Sequence, residues 1–517
     1  MSSAGRRRRT TSSITPSPTS SSSSGNQESR PSQLPQWKFS QVLGELPAPA
    51  AGGHRNGPAA LQDDADEISA IEFDGRGEYL AAGDHAGRVI LFRRTDDDDA
   101  PPQAWPRAEL ERTDYAVAPP PRYSFAMEFQ SHEPEFDVLH SLEIGEKIKK
   151  VRWCARPNHR SLCMLSANDR TVKLWKGRSR NARRRRKGTA SGAGAPRRCL
   201  CKNRTLNGRP RNTGIGDVGD GYSAKCRRVF DRAHEFNINS ISNNCDGETF
   251  VSADDLRINL WHLEVTSQCF NIVDKKPADM EDLVEVITTA EFHPSSCSLL
   301  GYGSSSGLVR LVDLRRSALC DQSVRTFKDR QSRPQPSTFF TEIISCTTDL
   351  KFTGEGRCLL TRDYMNLKLW DLRVETSPIA TYKVHEFLRP KLSELYTEDY
   401  IFDRFSCCAS KDGSYFATGS YSNTFKVFSR TAAQTSGTTL EASTNPYRVQ
   451  SHAPTKIPVL FSSFSLGVGR KGQDGPRSDG KEEMPCNMAS RVTHIAWHPM
   501  ENFIVCAANN SLYMYHR

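Results

Sequence analysis

The sequence predicts an all-β fold, a seven-bladed β-propeller, on three observations. One pattern recurs along the chain: small residues, a polar turn, then an alternating strand that ends in an apolar or aromatic residue. A second β-rich run lies upstream of most copies, at 149–153, 288–293, 348–352 and 493–498. The same strand-then-turn punctuation appears twice, as Glu291-Phe292-His293-Pro294 and Ala496-Trp497-His498-Pro499.

Taken in order, 36–43 reads as a strand that could close the ring by joining the last blade to the first. The repeated pattern then occupies 79–92, 161–175, 237–264, 298–314, 357–372, 414–428 and 502–515. The third copy is the most explicit: Ile238, Ile241, Phe250 and Val251 are β-formers, and Asp246-Gly247 is a turn pair between two runs. It holds two Asp, 254 and 255, in the turn before a strand ending in Leu260-Trp261. One Asp is expected to fill the internal turn position, with Asp254 the first choice. The other would project from a rigid rim as a recognition group. Seven such units are of WD40 type, the four-stranded repeat with a usual period of about 40–45 residues. Their irregular spacing implies long inter-blade insertions at 96–121, 177–228 and 431–489, within a propeller spanning 36–517. A Ser/Thr/Pro-rich basic tail, 1–35, is expected to be disordered, and 392–400 reads as a short helix outside the sheets.

Charge is unevenly placed. The net value of +10 includes +4 from 1–36 and +14 from 177–228, leaving −8 for the remainder. The ring is therefore acidic and suits a basic protein surface, so a nucleic-acid partner is not expected. The run 183–187 reads first as solvated charge, with nuclear import or RNA binding as the alternative. No apolar run is long enough for a membrane span, and the Arg-rich start lacks a secretory apolar core. Fifteen Cys without regular spacing fit reduced thiols, so the expected location is the cytosol, with nuclear entry left open. Cys199/Cys201 and Cys407/Cys408 lack zinc-ligand spacing, and no metal or cofactor is expected.

No catalytic pattern stands out: there is no phosphate-cradling Gly-rich loop, no His-Glu-x-x-His and no Gly-x-Ser-x-Gly. Histidines 132, 234, 385 and 452 fall between blades, where each is read as tying strand, turn Asp and Trp together rather than binding metal. The chain is read as a non-enzyme.

Longer strings carry a resemblance. FQSHEP (129–134), EFDVLHSLEIGEKIKKVRW (135–153), SADDLRINLWHLE (252–264), FNIVDKKPADMEDLVEVITTAEFHP (270–294), FFTEIIS (339–345), TRDYMNLKLWDL (361–372) and VHEFLRPKL (384–392) closely resemble the B regulatory subunit of protein phosphatase type 2A, in its WD-repeat, fifty-five-kilodalton class. The likeness covers nearly everything from Trp37 to Arg517 outside the insertions. It implies a non-catalytic member of a heterotrimer. The partners would be a scaffold built of HEAT repeats and a metal-dependent Ser/Thr phosphatase that supplies catalysis, with phosphoproteins carrying basic flanks as substrates. It further implies an acidic substrate groove at Phe236, Asp255, Glu281, Leu283 and Val286, with Phe339 and Phe340 nearby. Glu133, Glu135 and Phe136 would contact the scaffold or the catalytic partner.

Leu283 and Val286 fit packing beneath a loop equally well. Phe339-Phe340 is more often core than contact, although adjacent residues of one strand cannot both face inward. Departures from the family pattern fall at Val138, His140, Gly145 and Asn237. The largest is 177–228, where relatives hold a hairpin arm that grips the scaffold. Here the segment is Arg-, Gly- and Cys-rich without apolar alternation, so no hairpin is expected: either the arm has been replaced, or the segment is non-coding sequence read as protein. A stand-alone WD adaptor, binding RNA through this segment, is the alternative function.

Overall fold

The computed structural model describes residues 36–44, 66–95, 121–138, 141–155, 161–179, 215–216, 222–320, 324–329, 338–431, 437–448 and 486–517. The tail 1–35, nearly all of 96–121, most of 177–228 and 431–489, and His452 lie outside the described residues.

Seven antiparallel sheets follow one another along the chain, each a meander of four strands. Blade 1 comprises Ile68–Phe73, Tyr79–Asp84, Arg88–Thr95 and Arg122–Gln130; blade 2 comprises Lys150–Trp153, Ser161–Ala167, Val172–Ser179 and Tyr222–Phe230. Blade 3 is Ser240–Asn243, Thr249–Ala253, Arg257–His262 and Val265–Asp274, and blade 4 is Ile287–Phe292, Leu299–Ser304, Val309–Asp313 and Val324–Phe327. Blade 5 is Asp349–Thr353, Cys358–Arg362, Asn366–Asp371 and Ala380–Lys383, and blade 6 is Cys407–Ala409, Tyr415–Gly419, Thr424–Ser429 and Thr438–Glu441. Blade 7 joins Ile495–Trp497, Phe503–Ala508 and Ser511–His516 to the N-terminal strand Lys38–Leu43, which pairs with Ser511–His516 and closes the ring as expected. The seven repeated patterns in the sequence hold the second and third strands of these blades, and 237–264 takes in the first strand of blade 3 as well.

Burial explains why those two strands are the legible ones. Second strands are covered on both sides by neighbouring blades, so Tyr79–Asp84, Cys358–Arg362 and Phe503–Ala508 are buried throughout. Outer strands face water; seven consecutive residues of Val265–Asp274 are exposed, and such a strand loses its apolar signature. The core lies between blades. Leu165, Val172 and Leu174 of blade 2 pack with Ile241, Phe250 and Trp261 of blade 3 in one apolar cluster. At the closure Trp37 meets Trp497 edge-on, ring centroids 5.4 Å apart.

First strands of neighbouring blades share no ladder, so Ser and Thr hydroxyls satisfy part of their backbone. Ser240 and Ser242 Oγ accept from the N–H of Ala290 and Phe292 at 2.8 and 2.9 Å, and Ser406 Oγ accepts from Ile495 N–H at 3.0 Å. Charges alternate around the channel. Arg152 pairs with Glu72 at 3.2 Å and with Glu291 at 3.5 Å, and Lys351 pairs with Glu291. Burial pushes the Glu72 carboxyl up. For Asp349 burial acts the same way, but Lys351 and Lys150 outweigh it and hold the carboxyl below its ordinary value.

Residues 177–228, read from sequence as lacking a hairpin, are strand at both ends. Val172–Ser179 pairs with Tyr222–Phe230 out to Ser179 opposite Tyr222, and Ile215–Gly216 adds a short fifth strand. The apolar alternation is present as Tyr222, Ala224 and Cys226, all packed against the core between blades 1 and 2. Lys225, Arg227 and Arg228 between and after them mask it.

Candidate functional site

Topology assigns the site to one face. In a four-stranded meander, the turn between second and third strands and the connection to the next blade emerge at the same end. Every sequence-predicted site residue falls in one of these two positions. Glu133, Glu135 and Phe136 lie between blades 1 and 2; Phe236 lies between blades 2 and 3; Glu281, Leu283 and Val286 lie between blades 3 and 4; Phe339 and Phe340 lie between blades 4 and 5; and Asp255 is in the second-to-third turn of blade 3. The 177–228 connection joins third and fourth strands, so it leaves from the opposite face.

A buried network stiffens this face. In blade 3, Asp254 accepts from the N–H of Leu256 and Arg257 at 2.8 and 2.6 Å, and from His234 Nδ1 at 2.8 Å. The carboxylate can only accept, so Nδ1 carries the hydrogen, and in the neutral ring Nε2 accepts from the Ser252 hydroxyl at 2.6 Å. Trp261 Nε1–H donates to the same Oγ at 2.8 Å. Histidine, turn Asp and Trp are thus tied together as the sequence suggested. Blade 5 keeps the scheme in altered form: Asp363 accepts from Met365 and Asn366 N–H, Trp370 donates to Thr361, and His385 instead reaches Tyr364 O and Ser420 Oγ of blade 6. Blade 2 substitutes Asn168 at the turn and links Trp175, Ser166, Ser131 and His132.

Asp255 differs from its expected place on the rim. It is half-buried at the channel mouth, where its carboxylate accepts from Asn239 Nδ2 at 2.8 Å. Asp254 points into the blade, so the next residue of the turn points toward the axis. The mouth holds about 450 Å³ and is also lined by Lys147, Lys149, Arg404 and Arg491. Arg404 donates to Asn239 Oδ1 at 3.2 Å, joining the connections on either side of the opening.

A larger cleft of about 610 Å³ adjoins the mouth, sharing Thr288, Thr348, Asp403 and Arg404 with it. Val286 lines this cleft, together with Val284, Ile343 and Phe402. Its charged lining is balanced, Glu342 and Asp403 against Lys328 and Arg404. Burial raises the Asp403 carboxyl, with Arg491 at 2.7 Å opposing. Acidic charge concentrates beside the cleft, on the 3₁₀ turn Met280–Asp282, where Asp279 caps the N–H of Glu281 and both Glu281 and Asp282 are exposed. No ion pair to Glu281 occurs among the described residues. Leu283 and Val286 are half-buried, between the two alternatives the sequence left open, while Val284 between them is 90% exposed.

Phe339 and Phe340 begin an α-helix, Phe339–Ile344, rather than a strand. Thr338 and Thr341 form its capping box, a turn signal that overrides the β-propensity of paired Phe. Helical geometry lets Phe340 pack on the cluster of Tyr364, Leu388 and Leu395 while Phe339 stays 59% exposed. The expected helix at 392–400 is present as Leu392–Thr397, flanked by 3₁₀ turns Glu386–Lys391 and Tyr400–Phe402. It brings in residues that the sequence reading missed. Tyr396 sits 5.2 Å from Phe339 and 5.8 Å from Phe402, completing an aromatic lip. Leu392 and Leu395 marking the helix's inner side were the available signal for Tyr396 as an outward residue.

Phe236 is half-buried beside the mouth residue Asn237. Glu133, Glu135 and Phe136 are exposed, the last two on a two-stranded ribbon of Glu135–Asp137 and Leu142–Ile144, in a sector apart from the cleft-lining connections. Among the described residues no group of three or more His, Cys, Asp or Glu could hold a metal, and no helix is long and apolar enough to cross a membrane.

The WD domain, G-beta repeat family model matches 224–262 and 401–429. The first match runs from an outer strand of blade 2 through three strands of blade 3, a frame that straddles blades. The beta isoform of the 55 kDa B regulatory subunit of serine/threonine protein phosphatase 2A from Oryza sativa subsp. indica is 47% identical, covering 93% of this chain and 94% of its own length. The beta isoform of Arabidopsis thaliana is 45% identical over 94% and 98%, and the regulatory subunit phr2AB of Dictyostelium discoideum is 38% identical over 93% and 98%. The chain belongs to the family of 55 kDa regulatory B subunits of serine/threonine protein phosphatase 2A, non-catalytic propellers built of WD repeats.

Proposed function

We propose that this chain selects substrates for a heterotrimeric phosphatase, presenting phosphoproteins to a catalytic subunit held with it on a HEAT-repeat scaffold. The observation that carries the reading is the convergence of acidic and apolar side chains on one stiffened face. Glu281 and Asp282 offer charge to Lys or Arg flanking a phosphosite, while Val284, Val286, Phe339 and Phe402 offer apolar footholds along the adjoining cleft. Exposed apolar groups rimmed by charge are a common mark of a protein-docking surface. Acidic groups on such a rim mainly raise encounter rate and choose partners, leaving the bond-breaking to the phosphatase partner. Glu133, Glu135 and Phe136, in their separate sector, serve in this reading as contacts to the other members of the trimer.

Co-purification tests assembly: a tagged chain should bring down both scaffold and phosphatase partners, and recovery of neither would refute the reading. Glu281→Lys should then keep the trimer and lose basic-flanked substrates. The adaptor alternative would require steeply salt-dependent RNA binding that disappears when the 177–228 connection is shortened.

A further inference from the structure

Two exposed thiols lie on adjoining turns at the seam between blades 3 and 4, on the face opposite the cleft. Cys245 lies in the first-to-second turn of blade 3 and Cys297 in the equivalent turn of blade 4, and both are free and exposed. Side chains fix both turns. Asp246 Oδ1 accepts from the N–H of Glu248 and Thr249 at 2.8 and 2.9 Å. His293 Nδ1 accepts from the N–H of Ser295 and Ser296 at 3.2 and 3.0 Å. Asn244 Nδ2 donates to Cys297 O at 2.9 Å, tying one turn to the other. Burial pushes the Cys245 thiol up, and its neighbour Cys297 adds to the shift. Two solvent-open thiols on adjoining turns, with one turn bonded to the other, form an arrangement that thiol–disulfide exchange can use.

We propose that Cys245 and Cys297 form a reversible disulfide site joining the bases of blades 3 and 4. The Cys297 thiolate attacks one sulfur of glutathione disulfide, forming a mixed disulfide and releasing one glutathione thiolate. The Cys245 thiolate then attacks the Cys297 sulfur and expels the second glutathione. Two protein thiols give up two electrons and two protons, and one glutathione disulfide becomes two glutathione thiols. The bond would cross a seam that the backbone ladder does not, between the blades whose opposite ends carry Asp255 and flank the connection holding Glu281, Leu283 and Val286. Cys154 and Cys163 offer an internal contrast. They face each other within blade 2, where Cys154 N–H donates to Cys163 O at 2.9 Å, but Cys154 is buried and a bond there would link strands already paired.

The full-length chain should be equilibrated in glutathione buffers of graded redox ratio, acid-quenched, alkylated, digested without reductant and read by mass spectrometry. The expected result is a Cys245–Cys297 linked peptide at least about tenfold above any other pair, reversed by dithiothreitol. In Cys245→Ser, Cys297 should instead accumulate as the mixed glutathione disulfide. The proposal is overturned if Cys245 and Cys297 of the unaltered chain are recovered singly alkylated or singly glutathionylated, or if Cys154–Cys163 is the principal linkage.

Discussion

The two faces of the ring are built by different rules. On the cleft face, second-to-third turns are short and deeply pinned, as by Asp254 and His234, but the connections to the next blade are long and carry helices and exposed aromatics. On the opposite face, the first-to-second turns of blades 4 and 7 share one local device. His293 and His498 each accept from the N–H groups two and three residues on and reach the next blade's turn, at Gly356 O (3.0 Å) and Gly77 O (3.4 Å). One face is a rigid base under variable loops; the other holds neighbouring blades in register. The proposed docking residues sit where a stiff frame supports the greatest side-chain variety.

The largest expected effect comes from breaking the frame beneath the cleft. Asp254→Ala strands the His234 ring and two turn N–H groups in a site only 1% exposed, and should cost about 3 kcal/mol in denaturant unfolding. A change below about 1 kcal/mol would mean that the network does not stiffen this face. Next, on the opposite face, Gly356 has φ +87°, and an added Cβ would lie 2.2 Å from His293 Nε2. Gly356→Ala should cost about 1–3 kcal/mol and loosen the seam between blades 4 and 5, read as faster hydrogen exchange at 293–299.

Acid should strain both faces, the cleft face more, since burial also lowers His498 on the opposite one. Burial holds His132 and His494 at about 3, and His385 well below its ordinary value, all three on the cleft-face side. The unfolded chain takes up protons that these native imidazoles refuse. Their stabilisation is therefore complete above about pH 6.5 and lost progressively as pH falls toward 3. The melting temperature should drop between pH 7 and pH 5, with exchange rising first in 131–149 and 384–406. A flat profile would contradict the burial of these rings. The smallest stability effect belongs to the docking residues: Phe339→Ala should shift unfolding by less than about 0.5 kcal/mol because its ring is mostly in water, yet weaken substrate capture.

The same division decides what could be read from sequence. All seven second-and-third-strand pairs were legible because double burial enforces small or apolar residues and the turns enforce Asp, Asn or Gly. The closing strand and the helix near 392 were legible too. Less so were segments whose shape depends on distant partners. The strand Tyr222–Phe230 hides its period-2 pattern among Lys and Arg. Phe339-Phe340 is a different case: its capping box, Thr338 with Thr341, is local, but the β-propensity of paired Phe masks it in the sequence. Asp255 at the mouth is held by Asn239, a partner that no local pattern announces. Tyr396 and Phe402 join Phe339 only through three-dimensional packing, so the aromatic lip had no contiguous signature.

The most direct test compares trimers reconstituted with the unaltered chain and with Glu281→Lys, measuring kcat/KM on two phosphoproteins that differ only in Lys or Arg flanking the phosphosite. The account predicts equal trimer yield, a loss of about tenfold or more on the basic-flanked substrate, and little change on the neutral one. Equal rates on both substrates, or phosphate release by the purified chain alone, would contradict it.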